Sequence, residues 1–138
     1  MKNPIIFVII IILALASASN NIFHSSQKRE QALLNSITEE KIISATVHIM
    51  PDNDSADLSD DQIIELAGIL RTVELGKRDD LYKEMGGGTS VTYTLQLFND
   101  VKTTISAYSG FIIINGTGYR AETICYELIA LGSAIIMA

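Results

Sequence analysis

The chain has 138 residues, a single cysteine, and 16 acidic against 10 basic side chains, for a formal net charge of −6. That length fits one domain plus a short N-terminal segment, and one cysteine excludes an intramolecular disulfide. The acidic balance disfavours binding to nucleic-acid backbones and to anionic lipid head groups.

The N-terminus reads as an export leader. Lys2 and the amino terminus form a short positive region, and Ile5 to Leu15 is an almost unbroken apolar run. Ala16-Ser17-Ala18 then places small residues at −3 and −1, so cleavage is expected after Ala18. The apolar stretch falls short of the roughly 20 residues of a comfortable membrane span. An uncleaved signal anchor over residues 1–18, with Lys2 inside and the domain outside, is the alternative. No cysteine follows the run, which excludes a lipoprotein anchor. The lack of disulfides fits a bacterial envelope better than an oxidising eukaryotic compartment. The sequons at Asn53 and Asn115 therefore read as chance matches, with a glycosylated protein as the alternative.

Residues 19–40 read as a tether that can hold a short helix over Lys28 to Asn35, with Leu33 and Leu34 docking on the domain. The domain is expected over 41–138. Ile42 to Met50 has period two, with Ile43, Ala45, Val47 and Ile49 on one face, and Pro51 ends it. Asp52 to Asp57 reads as a polar loop. Ser59 and Gln62 then make a capping box, Leu58 and Ile63 a hydrophobic staple, and Asp60 and Asp61 complement the helix dipole. Ile63, Leu66, Ala67, Leu70 and Val73 share one face, which predicts a helix over 60–75 closed by Gly76.

Lys77 to Ser90, with its run Gly86-Gly87-Gly88, reads as a mobile loop. Three alternating segments follow: Val91 to Phe98, Val101 to Tyr108 and Phe111 to Ile114. Asn99-Asp100 and Ser109-Gly110 turn the chain between them, and Asn115-Gly116 is a type I′ hairpin signal that permits a stub strand over Thr117 to Arg120. A last helix is expected from about Ala121 to Leu131, stopped by Gly132. The order strand, helix, three or four strands, helix gives an α+β fold. It has two layers: a mainly antiparallel sheet, and two helices on one face. The other face, with Thr92, Thr94, Gln96, Lys102 and Thr104, is left to solvent.

Four groupings could carry chemistry. Asp52, Asp54 and Asp57 offer hard oxygen ligands, and a weak calcium site there is the one metal candidate. In an EF-hand register from Asp52 the sixth and twelfth positions hold Asp57 and Ile63 in place of glycine and glutamate, so an EF-hand is excluded. The glycine run lacks the lysine and following helix of a phosphate-binding loop. His24 and His48 have no second histidine near them, which disfavours zinc. His48 with Asp52 or Asp54 and Ser55 would need a third orienting group to act as a base and nucleophile. Cys125 falls on an apolar helical stripe and reads as a small buried hydrophobe. No cofactor is implied. Tyr108 and Phe111 flank a turn, as rim-of-core residues or as a contact patch.

From Ile43 to about Glu127 the layout resembles small exported domains of Firmicutes envelope proteins. The resemblance rests on the opening strand with Val47, the Asp/Asn loop, the Leu58-Ser59-Asp60 helix start, the meander, and Ile113-Ile114-Asn115-Gly116 followed by Tyr119. It implies a location outside the cytoplasmic membrane, secreted or anchored, and brings no activity with it. The expected function is a non-catalytic interaction or sensor module for an unknown protein partner. It meets the membrane only through its N-terminal segment and does not bind nucleic acid. An inhibitor or immunity-type protein against a secreted enzyme or peptide is the alternative, and an enzyme or a weak calcium-binding domain stands behind both.

Overall fold

The computed structural model describes residues 26–138. The expected leader, its expected cleavage after Ala18, and His24 lie outside the described residues. The fold is α+β: six strands form one antiparallel sheet in the order β2-β1-β3-β4-β5-β6. They span Ile42–Met50 (β1), Asp54–Asp57 (β2), Ser90–Leu97 (β3), Lys102–Tyr108 (β4), Phe111–Ile114 (β5) and Thr117–Arg120 (β6). The described helices are α1 (residues 26–36), α2 (Asp60–Arg71) and α3 (Glu122–Met137).

Period two sorts the strands into faces. Val91, Tyr93 and Leu95 of β3, Ile105 and Ala107 of β4, and Val47 of β1 are fully buried beneath the helices. α3 lies across β1 to β5, and α2 packs beside it. α1 belongs to the same core. Leu34 and Ile37 are buried in it, Leu33 packs against it, and Ser26 Oγ meets Tyr119 Oη at 2.8 Å. Packing therefore extends N-terminal of residue 41: the short helix allowed within the tether forms, runs over 26–36, docks through Leu33 and Leu34, and joins the two helices expected on the sheet.

Within these strands and helices the structure departs from the sequence reading at five places. First, a bulge between Ile42 and Ser44 turns Ile42 inward and leaves Ile43 half-exposed, so the alternation of β1 begins only at Ser44. Second, the polar loop over Asp52 to Asp57 holds an edge strand, with Ala56 opposite Val47 and Asp54 opposite Ile49. Third, α2 stops at Arg71 rather than near 75. The Thr72 hydroxyl donates to the Ile69 carbonyl (2.7 Å), and the chain beyond is held extended by α1. There Gln31 donates to the Val73 carbonyl (2.7 Å) and accepts from the Leu75 N–H (2.8 Å). Fourth, Val101 sits exposed in the β3–β4 turn, because Leu97 N–H bonds the Val101 carbonyl around a three-residue loop with Asp100 at φ 60°. Fifth, α3 runs through Gly132 to Met137.

Gly132 marks the place where α3 rests on the sheet. A Cβ there would lie 2.5 Å from Val91 Cγ1 and 3.2 Å from Val47 Cγ2. The hydroxyl of Tyr93 rises beside it to donate to the Leu128 carbonyl at 2.6 Å. In mid-helix, alanine gains about 1 kcal/mol over glycine from propensity, whereas overpacking a core costs about 1–3 kcal/mol. Gly132→Ala is therefore expected to lower the urea midpoint at unchanged slope. Gly68→Ala, on the open side of α2 where a Cβ meets nothing within 4 Å, should raise it.

Candidate functional site

The sheet's outer face is covered only in part. Over β1, β3 and β4 it presents Ser44, Thr46, His48, Met50, Ser90, Thr92, Thr94, Gln96, Lys102, Thr104, Ser106 and Tyr108, exposed or half-exposed. Antiparallel pairing sets these side chains opposite one another: Thr46 with Thr94, His48 with Thr92, Thr94 with Thr104, Thr92 with Ser106. The last pair shares a hydrogen bond of 2.8 Å between hydroxyls. Among these residues Lys102 is the sole formal charge at neutral pH with histidine neutral, although the whole chain has 26 Asp, Glu, Lys and Arg (16 acidic plus 10 basic).

At the β5–β6 end the segment expected to be a mobile loop folds onto the sheet. Gly76 N–H donates to the Arg120 carbonyl (2.7 Å), Arg120 N–H to the Lys77 carbonyl (3.1 Å) and Asp79 N–H to the Gly118 carbonyl (2.9 Å), which closes the edge of β6. A 3-10 turn over Leu81–Glu84 then crosses the outer face. It buries Phe111, the one buried apolar residue outside the main core among those described. The Tyr82 ring lies 6.1 Å from Phe111, and the Arg120 guanidinium sits 4.3 Å above the same ring. Gly118 makes this approach possible, since a Cβ there would meet the Asp79 carbonyl and the Tyr82 ring at 2.6 Å.

Two hydroxyls pin the segment: Tyr82 Oη donates to the Gly116 carbonyl (2.7 Å) and Tyr108 Oη to the Gly87 carbonyl (2.8 Å). Between segment and sheet lies a hollow of about 360 Å³ lined by Tyr82, Lys83, Ser90, Thr92, Ser106, Tyr108 and Ile113. Burial, then the Asp80 carboxylate, pushes the Tyr82 hydroxyl up, so it remains a protonated donor at neutral pH. The hollow can therefore offer hydroxyl donors and acceptors, aromatic walls and one cation. It has no carboxylate in its lining.

The residues singled out from sequence do not gather there. Asp52 lies in the turn after β1. Asp54 and Asp57 stand three positions apart on β2, which sends them to opposite faces of a strand. Among the described residues no three His, Cys, Asp or Glu side chains are placed to share a metal ion. His48 and Ser55 are register partners, yet the ring Nε2 is bonded to Asn53 Oδ1 (2.7 Å), and neither Asp52 nor Asp54 orients it. The glycine run forms one wall of a second hollow of about 390 Å³, with Met85, Tyr108 and Tyr126. Cys125 is buried, and its Sγ accepts the Gly110 N–H at 3.3 Å. Phe111 is no contact patch, because Tyr82 and Arg120 cover it. Among the described residues no helix is long and apolar enough to cross a membrane. Sequence reasoning missed Tyr82 and Asp79. Their one local signal is Asp79-Asp80, an acidic pair just before the 3-10 turn.

Two expectations follow. The Leu81 N–H (2.9 Å), then the Arg120 guanidinium (3.1 Å), hold the Asp79 carboxyl below its usual 3.8, outweighing the burial that pushes it up. A lowered value in the folded state means the contact is intact above the ordinary value and is lost as pH falls through the lowered one. Amide exchange should show Leu81 protection falling in acid and in Asp79→Asn at neutral pH, while the Gln62 cap amide keeps its protection. Burial raises the Cys125 thiol above its usual 9.0. The native protein should thus resist alkylation at neutral pH and label fully in denaturant, and its stability should fall as pH climbs past that ordinary value.

No family model, no curated protein and no solved structure matches the chain.

Proposed function

We propose that the chain is a non-catalytic interaction module that works outside the cytoplasmic membrane, secreted or anchored by its N-terminal segment. Its protein partner is received on the outer face of β1, β3 and β4. The observation that carries this reading is the charge depletion of that face. One lysine stands among twelve outward residues, in a chain of 138 residues with 26 charged side chains. Depletion of charged residues is the compositional signal of the centre of a protein interface, and tyrosine and methionine are enriched there. The hollow beside Tyr82 and Tyr108 supplies the concave element into which an anchoring side chain fits. The apolar leader and the resemblance to exported envelope domains support the location.

The test uses the full chain, expressed with its own leader in a Gram-positive host, with a photo-cross-linking residue at Thr94, at Thr104 or at Asn35. Thr94 and Thr104 lie on the outer face, and Asn35 lies exposed on α1. A discrete adduct at Thr94 and Thr104, absent at Asn35 and found outside the cytoplasm, is the expected result. Equal adducts at all three positions, none at the first two, or a cytoplasmic protein would overturn the proposal.

A further inference from the structure

The helix layer carries a second surface of a different character. α2 and α3 lie side by side and leave a groove of about 440 Å³ between them, facing away from the sheet. Its floor is apolar, with Ile69 from α2 and Ala130, Leu131 and Ala134 from α3. Ala130 and Ala134 are spaced i, i+4 and so sit one turn apart on one face, where small side chains let another helix come close. Glu65 and Glu127, both exposed, line the groove as well.

The charge on these two helices is one-sided. α2 and α3 carry five carboxylates, at Asp60, Asp61, Glu65, Glu122 and Glu127, against one cation, Arg71. Arg71 is turned toward Glu39 at 3.8 Å. Among the described residues none of the five carboxylates has an ion-pair partner. An apolar floor between unneutralised carboxylates repels an anionic membrane and nucleic acid. It also repels a second copy of this chain docked through the same face, which would bring like charges together. It attracts an apolar stripe flanked by lysine or arginine.

We infer that the α2–α3 groove docks a cationic amphipathic helix of a partner protein, laid with its apolar stripe on Ala130 and Ala134 and its cations against Glu65 and Glu127. The groove covers residues 62–69 of α2 and 127–135 of α3, which at 1.5 Å per residue is about two to three helical turns. This site is independent of the sheet face proposed above, and either can fail alone.

The probe is a fluorescein-labelled helix of about 15 residues, built of leucine and lysine in an i, i+3, i+4 pattern. It is titrated by anisotropy into the exported protein in the N-terminal form the host yields. Saturable binding is expected, weakened at least about tenfold by raising salt from about 50 to 300 mM. Glu65→Lys with Glu127→Lys should weaken it by about tenfold or more. Ala134→Trp, which fills the floor without changing charge, should do the same. A leucine and glutamate helix should not bind. Circular dichroism melting shows that each variant is folded; if the double variant is not, Glu127→Gln alone is read. Absence of saturation would overturn the inference. So would undiminished binding to folded Ala134→Trp, since that result means charge attraction without a groove.

Discussion

The structure depends on the seat of α3 at Gly132. With no Cβ between them, the helix backbone comes down onto Val91 and Val47, close enough for the Tyr93 hydroxyl to reach the Leu128 carbonyl. That bond satisfies a phenol from the centre of the core, where an unpaired hydroxyl would cost about 1–3 kcal/mol. Burial pushes the Tyr93 hydroxyl far above its ordinary value, so it serves as a permanent donor. Once α3 is seated there, it spans the sheet from β2 to β5, and α2 has one place left, alongside it. The inner face is thereby filled. The outer face and the groove between the helices are what remain on the surface.

A second constraint closes the ends. Gln31 and Gln27 of α1 bond the backbone of Val73 and Leu75 as a neighbouring strand would. This satisfies a stretch that α2 has released and aims the chain at β6. Residues 76–79 then pair along β6 and remove its open edge. Among the described residues nothing pairs with the opposite edge, β2. It is four residues long with an exposed aspartate at each end, which discourages pairing with another sheet edge. The protein thus manages one edge by covering it and the other by charge.

Local rules made much of this legible. The capping box of Ser59 and Gln62 is present in both directions, and the Asn115-Gly116 turn has both residues at positive φ. Period two assigned the core-facing side chains of β3 and, from the buried Thr103 onward but not at Val101, those of β4. What stayed hidden was set by distant partners. Nothing local tells that Gly132 is a contact rather than a stop, because the atoms that require glycine belong to β1 and β3. The end of α2 is decided by Gln31, about forty positions away. β2 offers little alternation to read, since Ala56 is its one side chain packed on the core and the other three are exposed; pairing with β1 defines it. The hydroxyl face of the candidate site was visible as alternation, but the hollow beside it was not. That hollow exists because Gly118 admits Tyr82 across the fold.

Net charge, read as one number, says only that polyanions are poor partners. Its distribution says more. Over β1, β3 and β4 the outer sheet face holds one formal charge, Lys102, the β2 edge adds Asp57 beside Thr46, and α2 and α3 hold five carboxylates with no ion-pair partner among the described residues. Basic side chains, in contrast, are largely engaged at junctions. Arg120 serves Asp79 and Phe111, Arg78 faces Asp80, and Arg71 faces Glu39. Cations hold segments of the fold together while unopposed anions stand outward on one layer. Such a division leaves the molecule two-faced. Contacts on the sheet side would be governed by shape and hydrogen bonding and change little with salt, whereas any contact on the helix side would be steered by charge and weaken as salt rises.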